Sequence, residues 1–334
     1  MPAAGAGMLS DMQEQPAFLR SAVVRFGLLG PLRDSLRLNH RIILTGSGSA
    51  YYAALAGAAL YSARGVPAQA IPASEFGKFT TSDLENVAVI ALSQSGGSSD
   101  VLNAARTARR RGAELIAVTN TRRSPLDSLA GVSLFLDAGI ERAVPATKSV
   151  IAMLAAIAVL AGGSGARALQ LAASEVQNAL RVSKARLRAR VRSLDDAERI
   201  FVLGSGLGKA CALEGALKLK EAAELPAEAY VLGEFKHGAT VMIGPKAVAI
   251  ALEVDGDARE TAKAMLSLRR LGARVIRIGM YGPESTRGSA EARRFAAACK
   301  AIVELQGLAL HAGLARGLNP DAPRTLKKRV LGWT

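Results

Sequence analysis

The chain repeats itself at a long interval. Residues 87–119 read VAVIALSQSGGSSDVLNAARTARRRGAELIAVT, and residues 247–279 read AVAIALEVDGDARETAKAMLSLRRLGARVIRIG. Ala91-Leu92 matches Ala251-Leu252, Gly96 matches Gly256, Arg109-Arg110 matches Arg269-Arg270, and Gly112-Ala113 matches Gly272-Ala273. Upstream, the stretch from Ile42 to Gly48 pairs with that from Ile200 to Gly206, and an Ala-rich run follows each. The offset, about 160 residues throughout, is too long for a solenoid period and suits a duplicated domain. Each copy runs strand, Gly-rich turn, helix, strand, loop, helix, strand. That alternation predicts an α/β fold in which each copy builds a parallel sheet with helices on both faces.

The first copy carries a phosphate-type loop. Val87, Val89, Ile90, Ala91 and Leu92 form a short apolar run of buried-strand type. Ser93-Gln94-Ser95-Gly96-Gly97-Ser98-Ser99 follows, and Ser99 or Asp100 is placed to cap a helix starting near Val101. Small residues let the backbone approach a ligand, and the hydroxyls donate hydrogen bonds. The helix N-terminus adds positive potential. Such a loop binds phosphate without a lysine; an ordinary Ser/Gly turn is the competing reading. The second copy has Glu253-Val254-Asp255-Gly256 at this place. Carboxylates there would repel a phosphate, so the first copy is expected to keep the anion site and the second only the scaffold. Ligands in such sheets bind beyond the carboxyl ends of the strands.

A second constellation lies at residues 213–238. The segment 209–224 is expected to be helical and to end before Pro226. Glu214, Lys218 and Glu221 then share one face. A surface salt-bridge stripe is the plain alternative. Gly233-Glu234-Phe235-Lys236-His237-Gly238 follows as a compact acid, base and imidazole loop. Carboxylates, ammonium groups and an imidazole together suit proton transfers around a carbonyl carbon.

Composition narrows the classes. The chain has 334 residues, 50% hydrophobic and 21% charged, which is globular and allows two cores. Residues 1–30 lack a basic-then-apolar signal pattern. The longest apolar run, Val150 to Gly162, is short for a bilayer and is expected to be a buried helix. No membrane partner and a cytoplasmic location are expected. Cys211 and Cys299 have no metal spacing and argue against a disulfide framework. His40, His237 and His311 show no ligand spacing, so neither metal nor cofactor is expected. The net charge of +15 raises the question of nucleic acid. The arginines are spread over helices such as 106–111 and 185–192 without aromatic interleaving, so no nucleic-acid partner is expected. The field would still attract a small anionic ligand.

Taken in order, the motifs resemble those of double-SIS (sugar isomerase) proteins, in particular the isomerase half of glucosamine-6-phosphate synthase and the stand-alone glucosamine-6-phosphate deaminases. Met12-Gln13-Glu14-Gln15-Pro16 resembles the leader, and Gly46-Ser47-Gly48-Ser49 the first serine loop. Ala73-Ser74-Glu75-Phe76 resembles the strand-end motif, and Ser93-Gln94-Ser95-Gly96 the phosphate loop. Ala146-Thr147-Lys148 resembles an S-T-K motif, and Glu214 to Gly238 the E-G-A-L-K-L-K-E and G-E-x-K-H-G signatures. Pro323 to Lys328 resembles the C-terminal P-R-x-L-x-K tail.

The resemblance implies two tandem SIS domains, each a doubly wound parallel sheet flanked by helices, flavodoxin-like. It divides the chain into a helical leader at 1–34, a first domain at 35–165, a connecting helix at 166–194, a second domain at 195–316 and a tail over the active site at 317–334. It implies that Ser49, Ser93, Gln94, Ser95, Ser98 and Thr147 hold the sugar phosphate. Glu221 would shuttle a proton between C1 and C2, with Lys218 beside it keeping the carboxylate ionised. His237 would assist ring opening from across a homodimer interface, and Lys328 would cover the sugar. Three positions depart from the pattern: Gly97 replaces an acid, Ser98 replaces a threonine, and Ala146, preceded by Pro145, replaces the first serine of S-T-K.

No N-terminal cysteine nucleophile follows Met1-Pro2, so glutamine is not expected to be the ammonia source. The expected activity is an isomerising glucosamine-6-phosphate deaminase, giving fructose 6-phosphate and ammonia. The alternatives are an aldose–ketose isomerase of another hexose phosphate, and a sugar-phosphate-binding regulator without turnover.

Overall fold

The computed structural model describes residues 3–36, 39, 41–80, 82–162, 165–255, 258–279 and 288–328. His40, Gly256 of the repeat and residues 329–334 of the tail lie outside the described residues. The chain forms two compact units. One comprises residues 21–141, 148–166 and 327 onward; the other comprises residues 1–20, 142–147 and 167–326. Each is built on one parallel sheet.

The first-sheet unit contains β1 (Arg41–Gly46), β2 (Ala68–Pro72), β3 (Val87–Ser93), β4 (Glu114–Thr119) and β5 (Val132–Phe135), in the order β2-β1-β3-β4-β5. All neighbours are parallel. Parallel neighbours require crossovers, and helices Ser49–Ser62 and Ser99–Arg110 supply two of them. Every residue of β3 is buried, as expected for a strand covered on both faces. The helix Lys148–Leu160 is apolar almost all round and almost wholly buried, as its sequence requires.

The second-sheet unit contains β6 (Arg199–Gly204), β7 (Ala227–Val231), β8 (Ala247–Leu252) and β9 (Arg274–Ile278), in the order β7-β6-β8-β9. This is the same winding without a fifth strand. The register repeats too: Arg41 pairs with Val87 as Arg199 pairs with Ala247, and Ala88 pairs with Glu114 as Val248 pairs with Arg274. Both sheets place their first strand centrally, so successive crossovers leave it in opposite directions. That doubly wound order is the flavodoxin-like one expected from the sequence.

Three local expectations change. Residues 166–194 form two helices, Ala166–Leu180 and Lys184–Arg192, rather than one, because the Ser183 hydroxyl accepts from the Arg186 amide and starts the second afresh. The helix after the phosphate-type loop begins at Ser99 with Ser98 at its N-cap, and the Ser98 hydroxyl makes no capping bond. The segment around Glu214 forms the helix Leu207–Ala223, which ends because Glu224 is left-handed, with Pro226 beyond it. The helix Ala290–Ala315 is long and apolar enough to cross a membrane by length and composition, yet 83% of its most apolar window is buried within the fold.

Helix Ala290–Ala315 packs closely on helix Leu207–Ala223 through glycines. A Cβ on Gly215 would overlap the Leu305 side chain, and one on Gly313 would overlap the carbonyl oxygen of Ala222. Leu305 can adjust, but a helix carbonyl cannot. Gly313→Ala is therefore expected to destabilise the protein by about 2 kcal/mol, against a helix-propensity gain of about 1 kcal/mol. Gly307→Ala, on the same helix, meets only the Met12 methyl at 3.7 Å. Chemical denaturation should show Gly307→Ala neutral or stabilising and Gly313→Ala clearly destabilised.

Candidate active site

In the first-sheet unit, two loops leave the carboxyl ends of the adjacent strands β1 and β3, where the winding reverses. After β1 the chain turns at Gly48 (φ 55°, ψ −128°) into helix Ser49–Ser62. A Cβ at Gly46 would lie 2.8 Å from the Ala50 carbonyl carbon, so the turn needs glycine there. After β3, Ser93 Oγ accepts from the Gly96 amide at 3.1 Å, and Ser95 Oγ accepts from the Gly97 amide at 3.3 Å. The Gln94 carbonyl accepts from the Asn120 amide, Thr119 Oγ1 and Thr121 Oγ1. Gly96 is left-handed (φ 62°), and a Cβ there would overlap the Ser124 hydroxyl. The loop is thus fixed from behind. Ser49, Gln94, Ser95 and Ser98 are all partly exposed, whereas Ser93 is buried and shapes the loop.

The equivalent turn in the second-sheet unit has the same backbone: Gly206 has φ 54° and ψ −124°. Its helix N-terminus is already filled. The Asp255 carboxylate lies near the amides of Leu207 and Gly208, and a Cβ on Gly206 would overlap Asp255 Oδ2. Glu253 is buried and ion-paired with Arg277. The acidic loop therefore does more than repel an anion. One carboxylate occupies the place where an anion would sit.

Helix Leu207–Ala223 carries the acid–base array. Lys218 is fully buried, with its ammonium 3.5 Å from the Glu214 carboxylate and ion-paired with Glu221. Glu214 is 1% exposed and Glu221 18%. The stripe is therefore not a solvated surface. Only Glu221 reaches solvent. Removing one partner from such a buried set costs about 3–5 kcal/mol, because the other charge is left uncompensated.

The remaining sequence-derived residues fall as follows. His237 lies in an exposed turn, with its amide donating to the Glu234 carbonyl. Thr147 is fully buried, and its carbonyl accepts from Gln306 Nε2 at 3.3 Å. Gln306 in turn accepts from Gln15 of the leader motif at 2.8 Å, so Gln15 acts structurally. Lys328 Nζ lies 2.6 Å from the Glu141 carboxylate. Among the described residues, no group of three or more His, Cys, Asp or Glu side chains could hold a metal, and both cysteines are free thiols.

Glu141 escaped the sequence reading. It is 1% exposed and accepts from the Ser149 amide at 2.9 Å and the Ser149 hydroxyl at 2.8 Å. It thus caps the start of helix Lys148–Leu160 while holding Lys328. Lys148 is also buried, donating to the Ile140 carbonyl at 2.9 Å. Asn120 pins the preceding segment by accepting from the Ala138 amide and donating to the Gly139 carbonyl, each at 2.8 Å. The signal available for Glu141 was an acidic residue just ahead of an apolar helix.

Burial raises the Asp255 pKa, outweighing the nearby amides and the Arg294 charge, and Oδ2 has no hydrogen-bond partner among the described residues. The folded protein therefore holds this proton more tightly than the unfolded chain. Stability falls as pH rises from the ordinary carboxylate range through the raised value. Asp255→Asn, which removes the charge, is expected to raise the Tm at pH 7. The gap should close as pH is lowered until the native Asp255 is protonated. Thermal melts across that range check this; a gap independent of pH would contradict it.

Comparison with known proteins agrees with the duplication. The SIS domain family matches residues 35–162 and 193–286. A glutamine–fructose-6-phosphate aminotransferase (isomerizing) from Methanothermobacter thermautotrophicus is 32% identical over 337 residues, covering 97% of this chain and 57% of that protein. The chain thus spans little more than half the length of that relative. Among solved structures, tagatose-6-phosphate ketose/aldose isomerase from Escherichia coli shares the fold with a TM-score of 0.82 at 20% identity, covering 96% of this chain and 97% of that one. Glucosamine-6-phosphate deaminase from Thermotoga maritima shares it with a TM-score of 0.75 at 22% identity, covering 98% and 100%. With its two matched segments following the two sheets, the chain belongs to the SIS domain family.

Proposed function

We propose that the protein is a phosphosugar isomerase that interconverts glucosamine 6-phosphate and fructose 6-phosphate, with water entering and ammonia leaving in the deaminating direction. The observation that carries this reading is the Glu221 carboxylate, partly exposed and ion-paired with a fully buried lysine. A carboxylate so placed is available as a base, and its proton can be returned to a neighbouring carbon. In the open-chain amino sugar, Glu221 takes the proton from C2 while the C1 aldehyde oxygen takes one from water, and an enolamine forms. The same proton is then delivered to C1. The product is the imine of fructose 6-phosphate, and water hydrolyses it to the ketose and ammonia. The name of the 32% identical relative supports the hexose 6-phosphate pair.

We assign the phosphate to the partly exposed Ser95 and Ser98 hydroxyls and the amides of that loop, with Ser49 and Gln94 completing the binding set; the buried Ser93 shapes the loop through the Gly96 amide, and Thr147, with no exposure, is not given a sugar contact. Lys218 positions Glu221 through their ion pair. Lys328 covers the sugar, with Glu141 as its anchor. His237 assists ring opening, given from a second copy of the chain. The neighbouring 3₁₀ segment Ala239–Met242 exposes Val241 and Met242, apolar side chains that suit such a homodimer contact. Ala146 supplies no hydroxyl where the family pattern has one. That favours, as a second reading, the aldose–ketose isomerisation of another hexose phosphate.

Ammonia release from glucosamine 6-phosphate, measured alongside fructose 6-phosphate in a coupled assay, tests the proposal. Equal amounts of both products are expected. Glu221→Gln should lower kcat by at least about 100-fold, the scale of general-base catalysis, with little change in sugar-phosphate binding. Ser95→Ala with Ser98→Ala should mainly raise KM. An active Glu221→Gln enzyme would remove Glu221 from the chemistry. Binding of glucosamine 6-phosphate without products would favour the second reading and call for a panel of other hexose phosphates.

A further inference from the structure

A cavity of about 460 Å³ opens in the second-sheet unit, lined by none of the residues assigned above. Its walls come from helix Lys184–Arg192, helix Ala258–Arg270 and strand β9. Among the described residues, four arginines line it, Arg186, Arg190, Arg269 and Arg277, and no lining residue is acidic. Arg186 and Arg190 are one helical turn apart, so their side chains leave the same face. Arg190 is held in place: it pairs with Glu304 at 2.7 Å and donates to the Arg277 carbonyl at 2.9 Å. Arg277 pairs with Glu253. Among the described residues, neither Arg186 nor Arg269 has an acidic partner within 4.0 Å. The four cations thus have two anions between them. Ala189, Ala262 and Val275 give the walls an apolar surface, and Ser193 also lines the cavity.

This differs from a scatter of solvated arginines. The guanidiniums come from three separate elements, converge on one concavity and leave about two positive charges unneutralised. The volume falls in the range of small-molecule sites, about 300–1,000 Å³. Planar guanidinium forks match phosphoryl oxygens in pairs. We propose that this cavity is a second anion site, binding a small molecule with two adjacent phosphoryl groups, of the nucleoside diphosphate class. The phosphoryl groups lie between Arg186 and Arg269, and the rest of the ligand lies on the apolar wall.

Calorimetric titration of the full chain with ADP and with pyrophosphate tests this. Arg186→Ala combined with Arg269→Ala is the informative variant, since both residues are exposed helix positions. Wild type is expected to bind one ADP per chain, and the double variant to bind it at least about 10-fold more weakly, equivalent to about 1.4 kcal/mol. Turnover without ADP should stay at the wild-type level. Tighter binding of ADP than of pyrophosphate would assign part of the affinity to the apolar wall; equal binding would assign it to the phosphoryl pair. The proposal is overturned by absence of ADP binding, by unchanged affinity in the double variant, by loss of binding in Ser95→Ala with Ser98→Ala instead, or by binding of a short DNA duplex but not of ADP.

Discussion

A lysine with no solvent exposure sits between two carboxylates on helix Leu207–Ala223, and much of the second-sheet unit follows from keeping it there. A buried ammonium is tolerable only if paired, so Glu214 and Glu221 must stay one helical turn to either side of Lys218. The helix must then be regular and well covered. Helix Ala290–Ala315 covers it at distances that only Gly215 and Gly313 allow. Glu221 ends up as the member of the set that water can reach. The same packing that buries the lysine therefore holds the proposed base in one position.

The two halves keep one scaffold and have divided its uses. Both make the same glycine turn after their first strand, with nearly equal backbone angles at Gly48 and Gly206. Such a turn aims backbone amides at whatever lies beyond the strand ends. In the first-sheet unit that space is bordered by partly exposed serines. In the second-sheet unit Asp255 fills it with a carboxylate of the chain's own. Duplication followed by a carboxylate filling one of the two equivalent turns accounts for a repeat whose strand register survives while its loop chemistry does not.

Much of this was legible in the sequence. The long-interval repeat gives two parallel sheets, and the buried β3 and β8 were visible as unbroken apolar runs. The serine loop and the Glu214–Lys218–Glu221 spacing were visible as local patterns. Spacing alone could not separate a surface stripe from a buried array, because that depends on the glycines of a helix some hundred residues later. Glu141 was missed for a similar reason: its partner Lys328 is 187 positions away. Asp255 was expected to repel a phosphate from its charge alone, but its own place at the helix N-terminus needed coordinates. The break at Ser183 was visible in principle, since serine ahead of a basic helical run is an ordinary start signal.

The account turns on Glu221 carrying a single proton between adjacent carbons, and isotope transfer tests that most directly. Glucosamine 6-phosphate labelled with deuterium at C2 would be turned over in ordinary water, and the C1 position of the fructose 6-phosphate product analysed by mass spectrometry and NMR. A single carboxylate that receives and returns the same proton predicts measurable deuterium at C1, with both transfer and turnover lost in Glu221→Gln. Label transfer persisting at the wild-type level in Glu221→Gln would contradict the assignment of the base.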